Sequence, residues 1–183
     1  MAPVVQNLPF LDPESGAYNV IIETPKGSRN KYTYDEHLQL YHLKGVLPAG
    51  ASFPFDFGFL PGTHGEDGDP LDVLLLMDEP AYPGVLVPAR LVGVIAAEQK
   101  ENGNTVRNDR LLAVSTVSRT HQSLQDIKDL DKHLLDEIEH FFKSYNAIKG
   151  QDFEVVGRFG VKRAQALVAA GGKLFQKIQK EGG

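Results

Sequence analysis

Asp67, Asp69 and Asp72 crowd into the segment Gly65-Glu66-Asp67-Gly68-Asp69-Pro70-Leu71-Asp72. Carboxylates this close repel one another, at a cost that grows as water is excluded. A hard divalent cation, which prefers several carboxylate oxygens, relieves that repulsion. Asp67 and Asp69 are two apart, so in an extended segment both point to one side. Asp72 lies inside the apolar run Leu71–Met77, where a lone carboxylate is expensive unless a cation meets it. The three are therefore expected to converge on a metal site at the mouth of a buried strand. The competing reading is a solvated acidic loop. An EF-hand shares the Asp-x-Asp spacing and fails elsewhere. Asp72 stands where that loop needs glycine, and Asp78 where it needs a bidentate Glu.

The surrounding charge agrees. From Gly45 to Ala89 there is no Lys or Arg, and seven acids: Asp56, Glu66, Asp67, Asp69, Asp72, Asp78 and Glu79. The whole chain carries 19 basic and 24 acidic residues, net −5, which disfavours a generic grip on nucleic acid. With no cysteine there is no disulfide framework, thiolate nucleophile or Cys-ligated zinc. No apolar run approaches the ~20 residues of a membrane helix, and Met1–Gly16 does not read as a secretory signal. Gly171-Gly172-Lys173 is followed by Leu174 rather than Ser or Thr, so it is no phosphate-binding loop. The six histidines form no His-x-x-x-His pair. His133 and His140 read as surface residues, and His64 lies beside the acidic turn.

The elements that must position these groups are predicted from periodicity. At 183 residues and 42% hydrophobic, the chain reads as one globular domain over residues 1–183. Tyr18–Glu23 is a strand, and Lys31–Tyr34 and Leu38–Leu43 form a hairpin. Leu71–Met77 has both parities apolar, as in a strand buried on both faces. Leu86–Ala97 and Leu111–Val117 are strands separated by the turn Glu101–Asn104. Asp131–Ile148 and Val161–Gln179 are amphipathic helices, with a short strand, Phe153–Gly157, between them. Gly171-Gly172 weakens the middle of the second. Strands followed by helices predict an α+β fold, a small barrel or sheet covered by helices. Alternating βαβ units are absent.

Asp67-Gly68-Asp69-Pro70-Leu71-Asp72-Val73 resembles the signature of the family I soluble inorganic pyrophosphatases. Other segments resemble the family in the same order: Ile21–Pro25, Asn30–Tyr32, Phe53–Phe59, Val92–Val94, Leu111–Val114, and His140–Phe142 with Tyr145. The resemblance implies a five-stranded OB-like β-barrel flanked by two main helices. It implies Mg²⁺-dependent hydrolysis of pyrophosphate to two phosphates by a cytoplasmic homo-oligomer with no nucleic-acid or membrane partner. It further implies that Asp67 and Asp72 bind activating metals and that Asp69 orients or deprotonates the attacking water. Glu23 helps hold metals through water, and Lys31, Lys44, Arg110 and Tyr145 grip phosphate oxygens.

Several positions depart from the family pattern. Thr33 stands where Glu is usual, Lys44 where Arg is usual, Phe53 and Phe57 where tyrosines are usual, and Asn146 where Lys is usual. The loop from Glu98 to Arg110 is longer, and the family places metal-binding acids in it. Strict register puts Asn108 at a ligand position, where it supplies no charge. A reshaped loop instead offers Glu98 and Asp109 as the ligands, unless Asp109 is merely an ion pair at the surface. A fold relative with weak or altered activity, acting as a phosphate- or nucleotide-binding module, is the alternative function.

Overall fold

The computed structural model describes residues 5–101 and 103–181. In chain order its main elements are β1 (Tyr18–Thr24), β2 (Asn30–Asp35), β3 (Leu40–Val46), β4 (Asp56–Phe59), β5 (Asp72–Leu76), β6 (Leu86–Glu101), β7 (Asn104–Arg107), β8 (Arg110–Ser115), α1 (Lys132–Ile148), β9 (Asp152–Gly160) and α2 (Val161–Glu181). The unbroken apolar run becomes β5, and both its faces are buried. Val73 and Leu75 pack with Val20, Ile22, Leu111 and, from α2, Ala164 and Val168. Leu74 and Leu76 point the other way, into Phe57, Ile95, Leu112 and, from α1, Leu135, Ile138 and Phe142. The period of two thus divides one strand between two cores.

β1 pairs with β4, β4 with β5, β5 with β8, β8 with β6, and β6 again with β1, closing a ring of five strands. Only β5 and β8 run parallel. Closure leaves no free edge in the ring. With two main helices against it, this is the expected α+β, OB-like architecture. The hairpin β2–β3 forms a separate sheet, and β7 and β9 both pair with β6 beyond the ring.

β6 extends to Glu101, past the expected end at Ala97, and β9 is likewise longer than expected. β7 is a strand that periodicity did not predict. Three of its four residues are polar, and it exists because the extended β6 supplies its backbone partners. Asp131 caps α1 by accepting from the His133 and Leu134 N–H groups at 2.8 and 3.2 Å. Gly171 and Gly172 do not interrupt α2. They let it approach the chain closely: a Cβ on Gly171 would fall 2.8 Å from Leu71 Cδ1, and one on Gly172 would fall 2.6 Å from Phe10 Cε1.

Candidate active site

One cavity of about 580 Å³ opens beside the start of β5. Register places its floor. Val73 lies opposite Leu111 in the parallel pair, so Asp72 and Arg110 begin the two strands side by side. Arg110 Nη1 forms an ion pair with Asp72 Oδ2 at 2.7 Å. Asp67 and Asp69 also line the cavity, from a closed turn rather than an extended segment. The Gly65 N–H donates to Asp69 O at 2.8 Å, and the Leu71 N–H to Thr63 Oγ1 at 3.1 Å. Gly68, at φ 92°, takes the left-handed conformation the turn requires. The His64 N–H donates to Gly171 O at 3.1 Å, anchoring the turn on α2. The His64 side chain is not part of the cavity lining.

Two β-bulges aim side chains into the same space. Glu23 is the extra residue between Ile22 and Thr24 where β1 meets β4. Lys44 is the extra residue of β3 opposite the Lys31–Tyr32 step of β2. Glu23 is buried and already engaged: Lys31 Nζ donates to it at 3.0 Å, Thr33 Oγ1 at 3.0 Å and the Tyr34 N–H at 2.9 Å. Thr33 is thus a donor to the carboxylate. Lys31 Nζ also lies 4.1 Å from the centre of the Phe57 ring and 5.8 Å from that of Phe53. The two phenylalanines present ring faces to a cation.

α1 and its C-cap residue supply the remaining wall, through Tyr145 and Asn146 and through Lys149. Asn146 is buried and donates back to Phe142 O at 2.8 Å, so it satisfies the helix rather than reaching out. Lys149, one turn beyond Tyr145, sets its ammonium 3.9 Å from the Tyr145 ring centre. Sequence reasoning missed this residue. Its signal was present, since residues four apart on a helix share a face.

Electrostatics divide the cavity. Burial raises the Asp72 carboxyl to about 6, against the opposing pull of Arg110 and Lys31. Asp67 folds an oxygen back over Gly65, and burial raises its carboxyl too. Burial, with Lys44, Lys31 and Arg110 nearby, lowers the Lys149 ammonium to about 8. Burial also pushes the Tyr145 hydroxyl up to about 12. Asp67, Asp69 and Asp72 offer oxygen donors only, which fits a hard divalent cation. Among the described residues no three acidic or histidine side chains already form a ligand cage, so the three share a cavity without closing on one point.

The structure does not bring Glu98 and Asp109 into this cavity. β6 continues as a regular strand through Glu101, so Glu98 and Gln99 face opposite ways. Gln99 lines the cavity and Glu98 does not. Across from them Asn108 and Arg110, two apart, face the cavity, and Asp109 faces away. Asp109 Oδ1 accepts from the Ala97 N–H at 2.9 Å and from Arg107 Nη2 at 2.8 Å. Arg107 also reaches Glu98 Oε1 at 3.5 Å. The two acids flank a structural arginine outside the cavity. Asn108 and Gln99 take the positions expected of Asp109 and Glu98.

Carboxylates and cations lining one opening suit a small, multiply charged anion that arrives with counter-ions. That defines a class of proteins handling phosphoric anhydrides. The family model for inorganic pyrophosphatase matches residues 20–176, and the chain belongs to that family. An inorganic pyrophosphatase of Synechocystis sp. is 38% identical over 156 residues, covering 85% of this chain and 90% of that protein. One of Thermus thermophilus is also 38% identical over 156 residues, covering 84% and 87%. A crystal structure of inorganic pyrophosphatase from Thermus thermophilus superposes with a TM-score of 0.87 at 35% identity, covering 95% of this chain and 99% of that one.

Proposed function

We propose that the chain hydrolyses inorganic pyrophosphate to two phosphates, with Mg²⁺ held by Asp67, Asp69 and Asp72. The observation that carries this reading is one cavity lined both by those carboxylates and by Lys31, Lys44, Arg110 and Lys149. Mg²⁺ bound there neutralises phosphate oxygens and makes a water acidic enough to attack. Everything else falls to the chain. Asp69 orients that water or takes its proton. Lys31, fixed by Glu23 and two ring faces, and Arg110, fixed by Asp72, meet phosphate oxygens. Tyr145, whose hydroxyl burial pushes up to about 12, is protonated at neutral pH and donates a hydrogen bond to a phosphate oxygen. Lys44 and Lys149 hold the distal phosphate. Glu23 is engaged by three donors and reaches a cation through water. Positioning and charge are what phosphoryl transfer asks of a protein.

In the same reading the enzyme is a cytoplasmic homo-oligomer that takes neither nucleic acid nor membrane as partner. The net charge of −5 supports the first exclusion, and sedimentation velocity tests the assembly. Phosphate release from pyrophosphate with Mg²⁺, run beside ATP, tests the activity. Pyrophosphate should be cleaved far faster than ATP, and chelation should abolish both. No release from pyrophosphate would leave the phosphate-binding module, which Thr33, Phe53, Phe57 and Asn146 favour.

A further inference from the structure

The wall formed by Gln99, Asn108 and Arg110 is a chain of donors. Arg110 is 4% exposed and its guanidinium lies 5.0 Å from the centre of the Phe142 ring and 5.5 Å from that of Phe153. Its Nη1 forms an ion pair with Asp72 and shares its hydrogens among the Asn108 side-chain oxygen and the Asn108 and Asp109 backbone carbonyls. Asn108 Nδ2 in turn donates to Gln99 Oε1 at 2.6 Å. Both side-chain amide oxygens of the wall are therefore already accepting. Gln99, itself buried, ends the relay, and its Nε2 meets no acceptor among the described residues. An amide nitrogen carries two hydrogens and cannot ligate a cation.

We infer that this wall binds phosphate oxygens directly through Gln99 Nε2 and Arg110, without a metal ion, and that divalent ions are confined to the side of Asp67, Asp69 and Asp72. The inference rests on reading the cavity as a pyrophosphate site, and adds which half of it works without metal. Arg110 is the cation of this half. It is permanently charged and it links Asp72 to Asn108. The anion gains an oriented donor where a carboxylate would have repelled it. The number of metal ions needed to neutralise pyrophosphate falls accordingly.

The test measures binding apart from turnover. Titration calorimetry of the full chain with inorganic phosphate in EDTA should show binding. Gln99→Leu should weaken that binding about tenfold, as loss of one hydrogen bond to a charged oxygen does. The isosteric double variant Gln99→Glu/Asn108→Asp should abolish it and bind one more Mn²⁺ than the wild type. The single Asn108→Asp serves if the double variant does not fold. Absence of phosphate binding in EDTA overturns the inference, and so does an unchanged Mn²⁺ stoichiometry. Phosphate binding in EDTA without pyrophosphate turnover would defeat the proposed function alone. Turnover without binding in EDTA would defeat the inference alone.

Discussion

Asp69 and Asp72 are three residues apart and differently placed. Asp72 is tied to Arg110 at the cavity floor, whereas Asp69 is held through its backbone in the turn above. Asp69→Asn keeps the shape and removes the base, so turnover should fall at least ~100-fold in a phosphate-release assay, the low end for a positioned base. Near-wild-type turnover would remove Asp69 from its role. Lys149 makes a second residue-scale prediction. Lys149→Ala should raise KM for pyrophosphate about tenfold with a smaller change in kcat, and Lys149→Arg should restore it, as expected of a charged contact to the bound anion. Equal losses in both variants would make Lys149 structural. Asp72 carries the pH dependence. Without metal its carboxyl titrates at about 6 in the folded chain, against 3.8 ordinarily. Between those values the folded chain holds more protons than the unfolded one, so this group lowers stability as pH rises through that window. In EDTA the stability of Asp72→Asn relative to wild type should therefore improve from about pH 4 to about pH 6. A constant difference between their denaturation midpoints would contradict the shift.

At the scale of elements, strand parity decided the divergent loop. The family resemblance asks for acids in this loop and points to Glu98 and Asp109, nearer the strand bases than Glu101, through a reshaped loop. The loop is instead the paired strands β6 and β7 with Asn108 and Asp109 in the step before β8, and Gln99 and Asn108 line the cavity. The polar strand β7 gave no hydrophobic signal from which that regularity could be read. Asp109 is consequently a structural residue. Asp109→Ala removes the partner of Arg107 and leaves the Ala97 N–H without its acceptor. It should cost about 1–3 kcal/mol in urea unfolding, with kcat and KM changed less than about threefold, well under the effect of a catalytic acid or base. Large loss of activity at unchanged stability would return Asp109 to the site. Gly171 gives the complementary case. Propensity favours alanine by ~1 kcal/mol in a helix, but the close approach to Leu71 should make Gly171→Ala destabilising by about 1–3 kcal/mol. A stabilised variant would show that α2 does not need that contact.

For the whole molecule, the signature turn, the doubly buried strand and both amphipathic helices were legible because each is a local pattern. Bulges and ring closure depend on distant pairings, so Glu23 and Lys44 became site residues in space only through registers that no single segment encodes. The assembled cavity stores repulsion that a divalent ion relieves, and ligand binding to the folded state stabilises it. Millimolar Mg²⁺ should therefore raise Tm, and Asp72→Ala should lose most of that rise. An unchanged Tm in the wild type would favour a solvated acidic loop. The most direct test of the central claim, hydrolysis driven from one acidic wall, is phosphate release from pyrophosphate titrated with Mg²⁺ in the wild type and in Asp69→Asn. Saturable, Mg²⁺-dependent release that collapses in Asp69→Asn is the predicted result; release that ignores Mg²⁺, or that survives the substitution, would contradict it.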